Sequence, residues 1–289
     1  MIPDPYPECE TLRYTSPWGG SITFLIRAGV LGRLMPPVAI FEDPSPGGPG
    51  GRYYASRHLT RPVELPIVAP PYFRGREELR AWAAVLDPRH GPGRLEVLRG
   101  DHAGRWLRCI YEAGLDVIPE DGTSHQLLGR LLFRAMEPYW QDAETVRLSV
   151  HLLGQIEEWF PIFPLVLGRS TAAGQFDAWN LGDVECWPVF TVRGPGSDIR
   201  LRNATTGRRI ASTSITLSAG QFLLIDTRVG NKTAQLFEGA EITDVFGELT
   251  DDTEFWPLVE GLNDIRLDMG LANAETEIVA EYTPQHLAP

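Results

Sequence analysis

The sequence has few cysteines and no long apolar run, and both absences narrow the possible classes of protein. Its three cysteines, Cys9, Cys109 and Cys186, are odd in number and widely spaced, which fits neither a disulfide framework nor a Cys-x-x-Cys metal site. We therefore expect buried free thiols from a reducing cytoplasm. No stretch reaches the ~18 apolar residues of a membrane span. Residues 1–10 lack the basic and apolar regions of a signal peptide, so we expect a soluble protein that stays in the cell or leaves it only on lysis.

Basic residues are scarce as well. The chain has 26 Lys and Arg against 38 Asp and Glu, which gives a formal net charge of −12. A nucleic-acid-binding protein needs a basic face that displaces counterions from phosphates. The charge balance therefore argues against specific nucleic-acid binding, and equally against a site on anionic lipid. The simplest explanation of the negative charge is solubility.

Motifs for catalysis or metal binding are missing. None of the six histidines has an i, i+4 partner or a cysteine at metal-ligand spacing. No Gly-x-Ser-x-Gly nucleophile motif occurs. The Gly/Pro stretch at residues 43–51 lacks the Gly-Lys-Ser/Thr ending of a phosphate-binding loop, so we interpret it as a flexible loop. We expect no catalytic residue, no cofactor and no metal.

Glycine and proline are abundant, with 29 and 24 copies, which favours many short turns between short strands. One clear helix is predicted at residues 77–86, where Leu79, Trp82, Ala83 and Leu86 form one apolar stripe. Residues 94–111 indicate a hairpin. From residue 174 onward, turn signals recur about every ten residues, which is typical of an antiparallel sandwich. The sequence thus predicts a mainly β protein.

Residues 124–136 allow two interpretations, a helix or a strand. Their leucines keep helical spacing, so periodicity alone predicts a second helix.

Ordered motifs in both halves resemble the distal tail protein (Dit) family of long-tailed bacteriophages, the siphoviruses. In the first half they are RPVELPI (61–67), LRAWA (79–83), LDPRHGPGRL (86–95), RWLRCIYEAGL (105–115) and LFRAMEPYW (132–140). In the second half they are NLGDVECWPVFTVRGPG (180–196), NATTG (203–207), GQFLLIDT (220–227) and FWPLVEGLN (255–263). The likeness lies in the order of these pieces over residues 60–289, since no single piece is specific.

The resemblance implies a fold and a role. It implies an N-terminal β-domain with one helix and a belt hairpin at residues 1–150, and a galectin-like β-sandwich at residues 151–289. It makes residues 124–136 a strand, against the periodicity, and we adopt that prediction. It implies a non-enzymatic virion protein at the phage tail tip, made in the host cytoplasm. Copies would form a hexameric ring around the tail channel. Acidic side chains would line this channel, so that DNA passes through without binding.

The resemblance also implies partners. These are the tail tube protein, the tape-measure protein, and hub proteins such as a tail-associated lysin or receptor-binding proteins. A hairpin arm can clasp a neighbouring subunit by extending a sheet across the boundary. From the hairpin pattern together with the family, we place the inter-subunit contacts on Leu95, Val97, Trp106, Leu107, Ile110 and Tyr111.

Two other functions stay open. One is a carbohydrate-binding adhesin, in which Trp179 and Trp187 of the sandwich would stack on sugar rings. The second is a cell-wall hydrolase, which the missing nucleophile and metal motifs disfavour.

Overall fold

The structure, a computed structural model, describes residues 11–25, 30–44, 47–68, 76–99, 102–115, 127–151 and 171–289. The chain divides into two compact units. The first unit contains residues 1–143 together with residues 286–289, and the second contains residues 144–285. The sequence placed the boundary after residue 150 and assigned the last four residues to the second domain. The second unit is therefore an insertion between residue 143 and residue 286 of the first.

The first unit is built on one antiparallel sheet. In chain order, the elements of the first unit are β1 (Thr11–Thr15), β2 (Ser21–Leu25), β3 (Val38–Pro44), β4 (Gly51–His58), β5 (Arg61–Val68), α1 (Arg76–Leu86), β6 (Gly93–Arg99), β7 (His102–Ala113), β8 (Leu127–Ala135) and β9 (Trp140–Gln141). The sheet order is β2-β1-β6-β7-β8-β5. Strand β9 pairs with β7 and with the late strand β20 (Gln285–His286).

The core of the first unit lies on one face of this sheet. Alternate residues of each strand point into it, as the two-residue period of a strand requires. Helix α1 contributes Trp82 and Leu86, so the predicted helix is confirmed, with its apolar stripe partly in the core. Phe24 meets Trp82 edge-on, with 5.7 Å between ring centroids. The helix thus stabilises the sheet by covering the apolar face at the β1–β2 end.

The helix that periodicity predicted within residues 124–136 is wrong. Residues 127–135 form strand β8, as the family resemblance implied, and residues 124–126 lie outside the described part. Strand β8 pairs with β5 on one side and β7 on the other. Leu131 and Phe133 point into the core, while Leu132 is half-buried on the opposite face. Leucines on both faces of a central strand produced the helical spacing.

Strands β3 and β4 form a two-stranded sheet of their own, which we call the arm. The loop predicted at residues 43–51 overlaps the ends of both strands, since β3 extends to Pro44 and β4 begins at Gly51. Residues 45 and 46 lie outside the described part of the chain.

The second unit is a two-sheet sandwich. Its strands are β10 (Val146–His151), β11 (Thr171–Asn180), β12 (Val189–Arg193), β13 (Gly196–Asn203), β14 (Arg209–Leu217), β15 (Phe222–Asp226), β16 (Thr233–Glu238), β17 (Glu241–Asp244), β18 (Gly261–Gly270) and β19 (Glu277–Tyr282). A six-stranded sheet of order β10-β19-β12-β15-β16-β17 and a four-stranded sheet of order β11-β18-β13-β14 share one apolar core. The predicted mainly β fold is confirmed.

Candidate assembly surface

The arm carries several large apolar side chains that are exposed to solvent. Ile40, Tyr53 and Tyr54 are 65%, 64% and 67% exposed, and Val38 and Phe41 are exposed too. Single exposed apolar residues are common on protein surfaces, but a contiguous exposed group marks an interaction site. Five such residues on one short hairpin therefore make the arm a candidate contact surface.

Both faces of the arm are open to solvent. Val38 and Ile40 lie on one face of β3, and Phe41 lies on the other, where the guanidinium of Arg57 sits 5.7 Å from its ring centroid. Among the described strands, β3 pairs only with β4, so each has a free edge. An isolated two-stranded hairpin is marginally stable in water. The arm thus has unused main-chain donors and acceptors as well as unused apolar area.

The root of the arm is fixed firmly to the first unit. The Leu59 N–H donates to the Pro37 carbonyl over 2.8 Å and closes the hairpin at its base. His58 Nδ1 and the Tyr139 hydroxyl share a hydrogen bond of 2.8 Å. The arm is therefore exposed along its length and anchored at one end.

Arg61 organises this root from the start of β5. Its side chain is fully buried, and its guanidinium donates to the carbonyls of Gly32 (3.1 Å), Arg33 (2.8 Å) and Pro138 (2.5 Å). The Trp140 ring lies 5.9 Å beneath it, and Trp140 Nε1 also donates to the Arg33 carbonyl. Burial lowers the pKa of Arg61 to about 10, so it stays charged at neutral pH. Charged donors on neutral carbonyls make strong hydrogen bonds, so residues 32–34 are held tightly.

Gly32 is required where the chain passes Arg61. Its φ is +74°, in the left-handed region that favours glycine. A Cβ at this position would lie 1.8 Å from the Pro62 carbonyl oxygen. Only glycine allows the chain to pass this close to β5 before the arm begins.

The predicted inter-subunit residues fall on two faces of the β6–β7 hairpin. Leu95, Val97 and Leu107 point into the core of the first unit and are at most 1% exposed. Their side chains therefore present almost no exposed area in this conformation, and their inter-subunit role stays a prediction. Tyr111 also packs against this core and meets Phe133 edge-on at 6.2 Å.

Trp106 and Ile110 are half-buried on the opposite face of the sheet. The Arg94 guanidinium lies 4.6 Å from the Trp106 ring, and Trp106 Nε1 donates to the Asp142 carbonyl over 3.0 Å. These two residues and the half-buried Tyr111 retain area that a neighbouring subunit could cover, and their inter-subunit role stays a prediction.

The two tryptophans predicted for glycan contact differ in environment. Trp179 on β11 is 54% exposed, and its cross-strand partner Leu262 and the following Leu181 are exposed as well. Trp187 is half-buried, with the Lys232 ammonium 5.5 Å from its ring. Trp179 is therefore the accessible one, and the glycan role of either stays a prediction.

Two of the three cysteines behave as the sequence predicted. Cys109 and Cys186 are free and buried, and Cys9 lies outside the described residues. Burial raises the pKa of Cys186 to about 12 and that of Cys109 further, so neither is a ready nucleophile.

Within the described ranges, no group of three or more His, Cys, Asp or Glu side chains is arranged to hold a metal ion. No helix in the same ranges is long and apolar enough to cross a membrane.

Sequence reasoning missed the arm although a signal was present. Two runs rich in β-forming residues, around Ile40-Phe41 and Tyr53-Tyr54, flank the Gly/Pro stretch. Such runs joined by a Gly-containing loop are typical of a hairpin.

No family model matches this chain, and no curated protein matches it. Among solved structures it is similar to the SPP1 Dit protein (gp 19.1), described as a paradigm of the hub adsorption apparatus in phages that infect Gram-positive bacteria. That likeness has a TM-score of 0.61 at 13% identity and covers 96% of this chain and 98% of the other. Chains of the phage P2 baseplate in its activated conformation, with Ca or Sr, give a TM-score of 0.45 at 10% and 9% identity, over 94% of this chain and 97% of theirs. The likeness to the SPP1 protein shows that this chain has a Dit-like fold, as the family resemblance predicted.

Proposed function

We propose that this protein is a structural subunit of a phage tail tip that assembles into a ring and joins the tail tube to the host-recognition hub. The observation that carries the proposal is the exposed apolar arm on a unit with a Dit-like fold. The role is non-enzymatic, and its location is the virion.

A projecting arm that binds a neighbouring subunit favours assembly into a ring. It presents one surface of a subunit, and its acceptor on the neighbour is a different surface, so the contact is heterologous. Heterologous contacts close into rings when the rotation between subunits fits. Arm residues such as Ile40 and Tyr54 would supply the apolar anchors of the contact, and the free edges of β3 and β4 would supply main-chain hydrogen bonds. Six subunits is the number that the family resemblance implies.

The charge distribution supports self-association through the first unit. That unit has 16 Arg and 17 Asp or Glu, a net charge of −1, whereas the second unit has 10 Lys or Arg and 21 Asp or Glu, a net charge of −11. Near-neutral surfaces approach each other without long-range repulsion, and strongly charged ones do not. The acidic surplus thus belongs to the second unit and not to the unit proposed to form the ring, which weakens the predicted acidic channel lining.

The remaining partners follow from this role. The ring would contact the tail tube protein and the tape-measure protein on its axis. The exposed apolar group of Trp179, Leu181 and Leu262 on the second unit would dock hub or receptor-binding proteins.

Light scattering with negative-stain imaging tests the proposal. We expect rings from the wild type and monomers from an Ile40→Glu/Tyr54→Glu double variant, because charges on the arm oppose burial. Val229→Glu is a matched control, since Val229 is equally exposed on the second unit at 70%. Rings from the arm variant would overturn the proposed contact. A wild type that stays monomeric with tail tube protein present would overturn ring formation.

A glycan-binding adhesin is the second candidate, favoured by the exposed Trp179. Binding on a glycan array that a folded Trp179→Ala variant loses would support it, and an array without binding would remove it.

A further inference from the structure

Residues 286–289, which follow the second unit in sequence, return to the first unit, and we call them the return segment. Side-chain contacts add to the pairing of β20 with β9 in holding it there. Arg61 Nη2 donates to the Leu287 carbonyl over 2.8 Å, and Arg105 Nη1 donates to the Ala288 carbonyl over 2.7 Å. Buried His286 places Nε2 2.9 Å from an Asp142 oxygen, which also lies 3.2 Å from Arg105 Nε.

One guanidinium therefore joins the return segment to the root of the arm. The Nη2 atom of Arg61 binds Leu287, while Nη1 binds the carbonyls of Gly32 and Arg33, just before the arm. The guanidinium is planar and rigid, so its donors move together. A buried donor without an acceptor costs free energy. Removal of the Leu287 carbonyl would therefore favour a shift of the Arg61 guanidinium away from its present position.

We propose that the return segment is a latch that positions the arm through Arg61, so that the arm is presented for assembly only after the segment has docked. This inference rests on the proposed assembly role of the arm. Arg61 acts as a positioning residue, since its bonds hold the root and leave the exposed arm residues free to contact a neighbour. Residues 286–289 also follow all of residues 144–285 in synthesis, so the root of the arm is completed only after the second unit has been made.

Hydrogen exchange of the monomeric protein at low concentration tests the latch separately from assembly. The reporters are two amides at the root: Leu31 N–H, which donates to the Glu64 carbonyl, and Leu59 N–H, which donates to the Pro37 carbonyl. We expect a chain that ends at Gln285 to exchange these amides about tenfold faster than the wild type, because the root loses a charge-assisted anchor. Unchanged exchange at both amides would overturn the latch.

A chain that ends at Leu287 is the matched control. It lacks the Ala288 contact with Arg105 but keeps an oxygen of Leu287 for Arg61. We expect wild-type exchange at Leu31 and Leu59. Equal acceleration in both truncated chains would show that Arg61 is not the connection, and would overturn the proposal.

If the chain that ends at Gln285 does not fold, the full-length variant Arg61→Lys tests whether Arg61 couples the return segment to the root of the arm. An ammonium keeps the charge but cannot span both sets of carbonyls. We expect faster exchange at the root and in the return segment together, with β6 and β7 still protected; acceleration at only one of the two sites would refute the coupling.

Assembly gives the final readout. If the wild type forms rings and the chain ending at Gln285 forms them equally well, the latch is wrong and the ring stands. If the wild type forms none, the proposed function fails, and the exchange data still decide the latch.

Discussion

The two hairpins of the first unit are both rich in large apolar side chains, yet they place them in opposite environments. On β6 and β7, residues such as Leu95 and Leu107 alternate into the core and are fully buried. On β3 and β4, residues such as Ile40 and Tyr54 are about two-thirds exposed. The difference lies in what each hairpin packs against, because the β6–β7 hairpin is central in a sheet with a covered face and the arm is a sheet of its own. Apolar content alone therefore does not tell a core hairpin from a contact hairpin.

The comparison also explains why one hairpin is suited to stability and the other to assembly. Buried residues on β6 and β7 contribute to folding and leave little area for a partner. The arm contributes little burial to the monomer, so its apolar area stays available for a partner.

The largest expected effect comes from truncating one matched residue in each hairpin. We expect Leu107→Ala to lower the free energy of unfolding of the first unit by about 3 kcal/mol, since it leaves a cavity in the core. Ile40→Ala removes a side chain of the same size from an exposed position, and we expect a change within about 0.5 kcal/mol. Urea unfolding of the monomer measures both. Similar losses in the two variants would show that the arm packs on the first unit.

A second expected effect concerns alkaline pH. Tyr14 is buried opposite Leu95 of β6, and burial raises its pKa to about 12, with a further contribution from nearby Cys109. The folded state keeps this phenol neutral while the unfolded chain ionises it above pH ~10. The stabilisation is therefore complete below pH ~10 and is lost as pH rises towards 12.

We expect the Tyr14→Phe variant to lose this dependence. Between pH 10 and 12 its unfolding free energy should fall less steeply than that of the wild type, by up to about 1.4 kcal/mol per pH unit and about 2 kcal/mol in total. Tyr54→Phe on the exposed arm is the control and should follow the wild type. Parallel pH profiles for Tyr14→Phe and the wild type would contradict burial of the phenol.

Much of the fold could be predicted from the sequence. The helix at residues 77–86 was recognised because its apolar spacing, acidic first turn and following Pro88 agree with one another. The sandwich was recognised because its turns recur regularly. The strand at residues 127–135 was recognised only through the family resemblance, because a strand buried on one face and half-covered on the other breaks the two-residue alternation.

The assembly surface could not be predicted in the same way. Alternation along β6 and β7 indicated a hairpin correctly, but whether a hairpin is central or detached depends on pairing between residues far apart in sequence. The Arg61 hub is a stronger case, since it joins residues 32–33, Pro138 and Leu287 through main-chain carbonyls. Every residue type has that group, so such contacts leave no mark in the sequence.

The variant with the smallest expected loss of stability, Trp106→Ala, best shows which of the two hairpins forms the contact between subunits. Trp106 lies on the outer face of β7, where Arg94 stacks on its ring and its indole N–H donates to the Asp142 carbonyl. We expect Trp106→Ala to cost the monomer about 1 kcal/mol, from one cation–π contact and one hydrogen bond. If the arm is the inter-subunit contact, light scattering should still show rings for this variant, while Tyr54→Ala should weaken them although it leaves the monomer stable. The opposite pattern, in which Trp106→Ala abolishes the rings and Tyr54→Ala keeps them, would show that subunits meet at the β6–β7 hairpin. Trp106 and Ile110 would then be the contact residues, because both lie on the outer face of that hairpin and are only half-buried.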